Sequence, residues 1–194
     1  TILREDVLHR LGVRSHRDLF PAPLAMESVE GLFRREQHRE IVREIVAAAG
    51  SAIIHAPGGV GKSVVARQLS NSFPKGSVGL VYDCFGGGNY LNENQPRHRV
   101  GDALFEMANE LAAQGLCRTL IPKAGILEDA VLRSFLSRLK EASAVIRGRS
   151  RKALLVLLVD AADNAEMAAA QRNDRCFARM LLHANPSEVP DNCR

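Results

Sequence analysis

None of the four cysteines, Cys84, Cys117, Cys176 and Cys193, belongs to a C-x-x-C pair. The spacing that builds a zinc knuckle or a redox dithiol is therefore missing, and the four read as reduced thiols of a cytoplasmic protein, with no cysteine metal site. Long apolar runs are missing too. The longest, Ala153 to Val159, is far too short to cross a bilayer, so no membrane partner is expected. The first ten residues, TILREDVLHR, are charged from the fourth onward, unlike a secretory signal peptide. No internal repeat or low-complexity tract is visible. A net charge of +4 is mild and does not by itself imply nucleic acid. Two basic runs, Arg97-His98-Arg99 and RGRSRK at 147–152, leave nucleic acid as a possible but unfavoured partner. The second run has no interleaved aromatics on which bases could stack.

What is present suffices for one domain with a real core: 194 residues, 46% of them hydrophobic. Residues 1–30 read as a lead-in, with a short helical start broken by Phe20-Pro21-Ala22-Pro23. The remainder, 31–194, reads as a single unit. Helices are expected at 34–49, with Ile41, Ile45 and Val46 as the apolar stripe and Gly50 as the stop. Others are expected at 101–115, carrying Leu104, Met107, Ala108 and Leu111, and after Glu128, carrying Leu132, Phe135, Leu136 and Leu139. A strand is expected at 77–85, ending near Asp83. The flexible Gly86-Gly87-Gly88-Asn89-Tyr90 loop follows it.

The most informative stretch is AIIHAPGGVGKSVVARQL, residues 52–69. Its centre, Ala56-Pro57-Gly58-Gly59-Val60-Gly61-Lys62-Ser63, matches the phosphate-loop pattern except that Ala56 stands where the first glycine is usual. Gly58, Gly59 and Gly61 allow positive φ and close backbone approach, so successive N–H groups can converge on phosphate oxygens. Ser63-Val64-Val65 opens a helix whose N-terminus favours an anion. Ala52-Ile53-Ile54-His55 reads as the buried strand leading in. The expected binding set is Gly58, Gly59, Val60, Gly61, Lys62, Ser63 and Val64. Lys62 neutralises phosphate charge and Ser63 ligates Mg²⁺.

A second motif, ALLVLLVDAAD at 153–163, runs seven apolar residues into Asp160. A strand covered on both faces looks like this. An acid at its carboxyl end is placed to hold Mg²⁺ beside the loop. Asp163 either orients the attacking water or caps the following helix. The catalytic candidates are thus Lys62, Asp160 and Asp163, and the metal candidates Ser63 and Asp160. Alternation of strands and helices gives a three-layer α/β arrangement with a parallel sheet.

These two motifs together resemble the STAND class of P-loop NTPases, of the NACHT-like type. Leu32-Phe33-Arg34-Arg35-Glu36 is similar to that group's opening element, with Arg34 where glycine is usual, and Asn164 stands where many members carry Glu. YDCFGGGNYLNENQPRHR, residues 82–99, looks like bacterial STAND proteins of antiviral defence. The resemblance covers about residues 30–194. It implies an ATP/ADP and Mg²⁺ switch within a larger protein, and ATP-driven self-association into a homo-oligomer that activates an effector. It also implies a protein trigger sensed by a downstream region, and a fold that is incomplete here, without sensor strand or winged helix.

Overall fold

The computed structural model describes residues 4–26 and 36–194. Leu32-Phe33-Arg34-Arg35 lies outside the described residues. In chain order the elements are α1 (Arg4–Arg10), α2 (His16–Leu19), α3 (Gln37–Ala47), α4 (Lys62–Leu69), β1 (Val78–Asp83), α5 (Val100–Ala113), α6 (Glu128–Arg149), β2 (Leu155–Asp160), α7 (Ala162–Arg172) and α8 (Phe177–Leu182). The architecture is mixed α/β around a two-stranded parallel sheet. No helix among the described residues is long and apolar enough to cross a membrane.

The apolar run 153–159 explains the centre of the fold. Side chains of a strand alternate between faces, so a strand covered on both sides must be apolar throughout. Leu155, Leu157 and Val159 point into the larger core with Leu104, Met107, Leu111, Phe135, Leu139 and Phe177. Leu154, Val156 and Leu158 point the other way, onto Ile41, Val42, Ile45, Val65 and Leu69 of α3 and α4. Helices therefore cover both faces of β2. β1 lies parallel to β2 in a register that runs from Val78 opposite Leu155 to Asp83 opposite Asp160. Tyr82 meets Phe177 edge to face, with ring centroids 5.0 Å apart, a favourable geometry for buried rings. The helical stripes expected on α5 and α6 are core in the structure, with Phe135 fully buried.

One expected strand is absent. Residues 51–57 carry neither strand nor helix, and Ile53 is 81% exposed. An apolar quartet becomes a strand only when a neighbour satisfies its N–H and C=O groups. Among the described residues no strand lies beside 52–55. The outer edge of β2 pairs instead with the chain's last residues. Leu155 donates its N–H to Asn192 at 2.9 Å, and Leu157 donates to Arg194 at 2.8 Å. The end of α3 also differs from expectation: Ala48 is its C-cap, ahead of Gly50.

β1 approaches α4 very closely. A Cβ built on Gly79 would lie 2.6 Å from the Ser70 backbone, which cannot move aside as a flexible side chain would. Gly79→Ala is expected to cost about 1–3 kcal/mol through overpacking. Urea unfolding reads this directly, and an unchanged midpoint would show that α4 shifts freely on the sheet.

Candidate functional site

The glycine-rich loop and the first turn of α4 are built as one piece. Gly59 has φ 77° and Gly61 φ 89°, conformations that side-chain-bearing residues rarely adopt. Gly61 is the N-cap of α4, so Lys62, Ser63 and Val64 form the helix's first turn. Val60 sits in the loop between the two left-handed glycines. A Cβ added at Gly58 or Gly59 would meet no atom within 4 Å, so the space over the loop is open to a ligand. The Lys62 ammonium folds back on the loop, donating to the carbonyls of Ala56 at 2.7 Å and Pro57 at 3.0 Å. It lies near enough to Asp160 to favour that group's charged form.

Asp160 is the last residue of β2 and is buried. The Ser63 hydroxyl lies near enough to its carboxylate to favour the charged form, so the two candidate metal ligands, far apart in sequence, come close in the fold. Asp160 Oδ2 is buried without a hydrogen-bond partner. Burial pushes the Asp160 carboxyl above the ordinary carboxylate range. The Ser63 hydroxyl opposes that shift, and neighbouring Asp83 adds to it.

The chain then turns sharply. Ala161 has φ 55°, a left-handed conformation costly for alanine, and serves as N-cap of α7. Asp163 is exposed in the first turn of that helix. It is therefore not the N-cap, and the capping role belongs to the backbone at Ala161.

The structure adds residues that the motifs did not single out as a site. Asp83 sits opposite Asp160 in the parallel ladder. Its Oδ1 accepts N–H groups from Phe85 at 2.9 Å and Gly86 at 3.0 Å, shaping the glycine loop after β1. Arg97 donates to the Asp83 carbonyl at 2.8 Å and lies 3.9 Å from its Oδ2. The available signal was a repeated pattern, since both apolar strands end in aspartate. Arg97 and His98 are themselves buried. Arg99 and His98 both bind Asp174, at 3.0 Å and 2.9 Å, so the run 97–99 forms no free basic surface.

No family model and no curated protein matches the chain.

Among the described residues no group of three or more His, Cys, Asp or Glu could cage a metal ion. The donor set at the loop is one carboxylate with an unpartnered oxygen, plus one hydroxyl. That set fits Mg²⁺, which takes few protein oxygens and keeps several waters.

Ionised Asp160 costs the fold stability. Its folded pKa lies above the unfolded value, so stability is fully present only at acid pH and is lost as pH rises. Asp160→Asn is expected to raise the urea midpoint at pH 8 by the equivalent of about 1 kcal/mol. The gain should shrink as pH falls towards the carboxylate range. A variant less stable at pH 8 would contradict this account.

Proposed function

We propose that the chain is the ATP-binding and hydrolysing switch module of a STAND-type, NACHT-like signalling protein, acting in bacterial antiviral defence. The observation that supports the reading is the approach of Ser63 to Asp160. It joins the first turn of a helix behind an open glycine loop to a buried, under-satisfied carboxylate at the end of a parallel strand. Ligands of open parallel sheets sit at the carboxyl ends of strands.

In this reading the N–H groups of Gly58 to Val64 cradle the phosphates, Pro57 before them having no N–H to give. Lys62 leaves its loop carbonyls to neutralise the terminal oxygens. Ser63 and Asp160 would hold Mg²⁺, which would supply charge neutralisation to the phosphates. Asp163, exposed on the turn beyond Asp160, orients the attacking water. Catalysis is then positioning and charge stabilisation, with no covalent intermediate. The ADP form is the resting state. ATP exchange, permitted by a protein trigger, drives self-association and effector activation in the cytoplasm. On this proposal residues 31–194 are the nucleotide-binding core and residues 1–30 lead in from an upstream part. The nucleic-acid alternative loses support, because Arg97 and His98 are buried and Arg99 is paired with Asp174.

Purified protein is denatured and the released nucleotide identified by chromatography. Bound ADP is expected, absent from Lys62→Ala. That variant loses charge-assisted hydrogen bonds of about 1.5–3 kcal/mol, or roughly 10–150-fold in affinity. Nucleotide retained equally by Lys62→Ala would overturn the site. Asp163→Asn should bind normally yet turn over about 10²–10⁴-fold more slowly. Unchanged turnover would remove Asp163 from the chemistry.

A further inference from the structure

Residues 19–26 form no helix beyond Leu19 and no strand, yet they are held along their length. Asn109 of α5 donates to the Leu19 carbonyl at 2.8 Å. The Ala22 N–H donates to Glu106 Oε2 at 2.8 Å. Arg97 donates to the carbonyls of Ala22 at 3.4 Å and Pro23 at 2.7 Å. Arg67 of α4 donates to the Met26 carbonyl at 3.2 Å. The segment is a strap running from α5 to α4 across the carboxyl end of β1. Ala22 beneath it belongs to the main core.

The unusual member of this set is Glu106. It is 3% exposed, and its Oε1 has no hydrogen-bond partner. It lines a cavity of about 340 Å³ with Ala22, Leu24, Arg67, Tyr82 and Glu110. A buried carboxylate with one oxygen unsatisfied is costly, whereas its protonated form is neutral and far less so.

We propose that the strap is a proton-gated latch: protonated Glu106 holds it closed, and ionised Glu106 loosens it. The groups facing Glu106 act in opposing directions. On the strap the Ala22 N–H favours the ionised form, as does Arg97 from the loop before α5. Glu110, one turn further along α5, disfavours it. The Tyr82 hydroxyl is committed to the Arg97 carbonyl at 3.0 Å. Asp83 occupies Arg97, and Arg67 is engaged with Met26. Burial outweighs the favourable partners and pushes the Glu106 carboxyl up to about 7. The folded value lies above the unfolded one. The closed strap is therefore fully stabilised below the ordinary carboxylate range and weakens as pH rises through about 7. Arg97 carries this change inward, because the guanidinium that grips the strap also grips Asp83 opposite Asp160. The proposal does not depend on the nucleotide reading.

The test is amide hydrogen exchange on the whole chain, read as protection factors between pH 6 and 8. Ala22 protection should fall about tenfold over that span. The Leu120 N–H, bonded at 2.8 Å to the non-titrating Asn109 Oδ1, should hold steady. Glu106→Gln should flatten the Ala22 profile. A flat Ala22 profile in the unaltered chain, or an equal fall in Glu106→Gln, would overturn the latch. If the variant does not fold, ¹³C titration of the Glu106 carboxyl in the unaltered chain decides. A midpoint near neutrality supports the latch, and one in the ordinary carboxylate range refutes it.

Discussion

The Arg97 guanidinium is the contact on which this end of the molecule depends. It is 4% exposed, beside an Asp83 that is 2% exposed. A buried cation survives only when its donors are satisfied and its charge is balanced. Arg97 meets both demands with backbone carbonyls of the strap, the carbonyl of Asp83 and that residue's carboxylate. Breaking such a pair by removing one partner costs about 3–5 kcal/mol. The Gly86 backbone exists in its present form because of it. A Cβ there would lie 2.4 Å from Arg97 Nε, and φ is 60°, so the turn after β1 is closed by packing as well as by conformation.

From that anchor the electrostatics of the sheet edge follow. Parallel pairing in register sets Asp83 beside Asp160, and like charges at close range oppose each other's ionisation. Asp83 is compensated by Arg97 and two backbone N–H groups. Asp160 has the Ser63 hydroxyl nearby and, among the described residues, no guanidinium beside it, and keeps one buried oxygen without a partner. Each carboxylate thus keeps one buried oxygen without a hydrogen-bond partner, but the charge of Asp83 is balanced by a buried guanidinium, whereas Asp160 gains from a further cation. The left-handed Ala161 directly after it adds local strain. Unsatisfied charge and backbone strain cost stability, and they concentrate where a protein is shaped for binding.

The loop and the strap use the same currency differently. Lys62 satisfies itself on the carbonyls of Ala56 and Pro57, bonds that on the proposed reading it exchanges for phosphate at little net cost. Glu106 has no such exchange within the closed strap. Its spare oxygen is buried without a partner, and only a proton or entering water relieves it.

How much was legible in the sequence depends on how local each feature is. The glycine loop and helix start at 58–69 are short-range: left-handed glycines and a helix N-terminus are set by residues adjacent in the chain. The β2 strand and its terminal aspartate followed from an apolar run that only a doubly covered strand explains. The helical stripes of α5 and α6 followed from periodicity. The quartet 52–55 was misread because apolar character alone does not supply a hydrogen-bonding neighbour. Asp83, Arg97 and Glu106 were not legible as a connected set. In sequence they are ordinary charges, and Arg97 even reads as part of a basic surface run. Only tertiary packing decides which charges are taken out of water, because desolvation depends on segments distant in the chain meeting around one group. The sequence by itself determined the loop, the covered character of β2 and the acids at the strand ends; the tertiary structure alone decided which of those acids has its charge balanced by a buried cation, because that depends on distant segments packing around it.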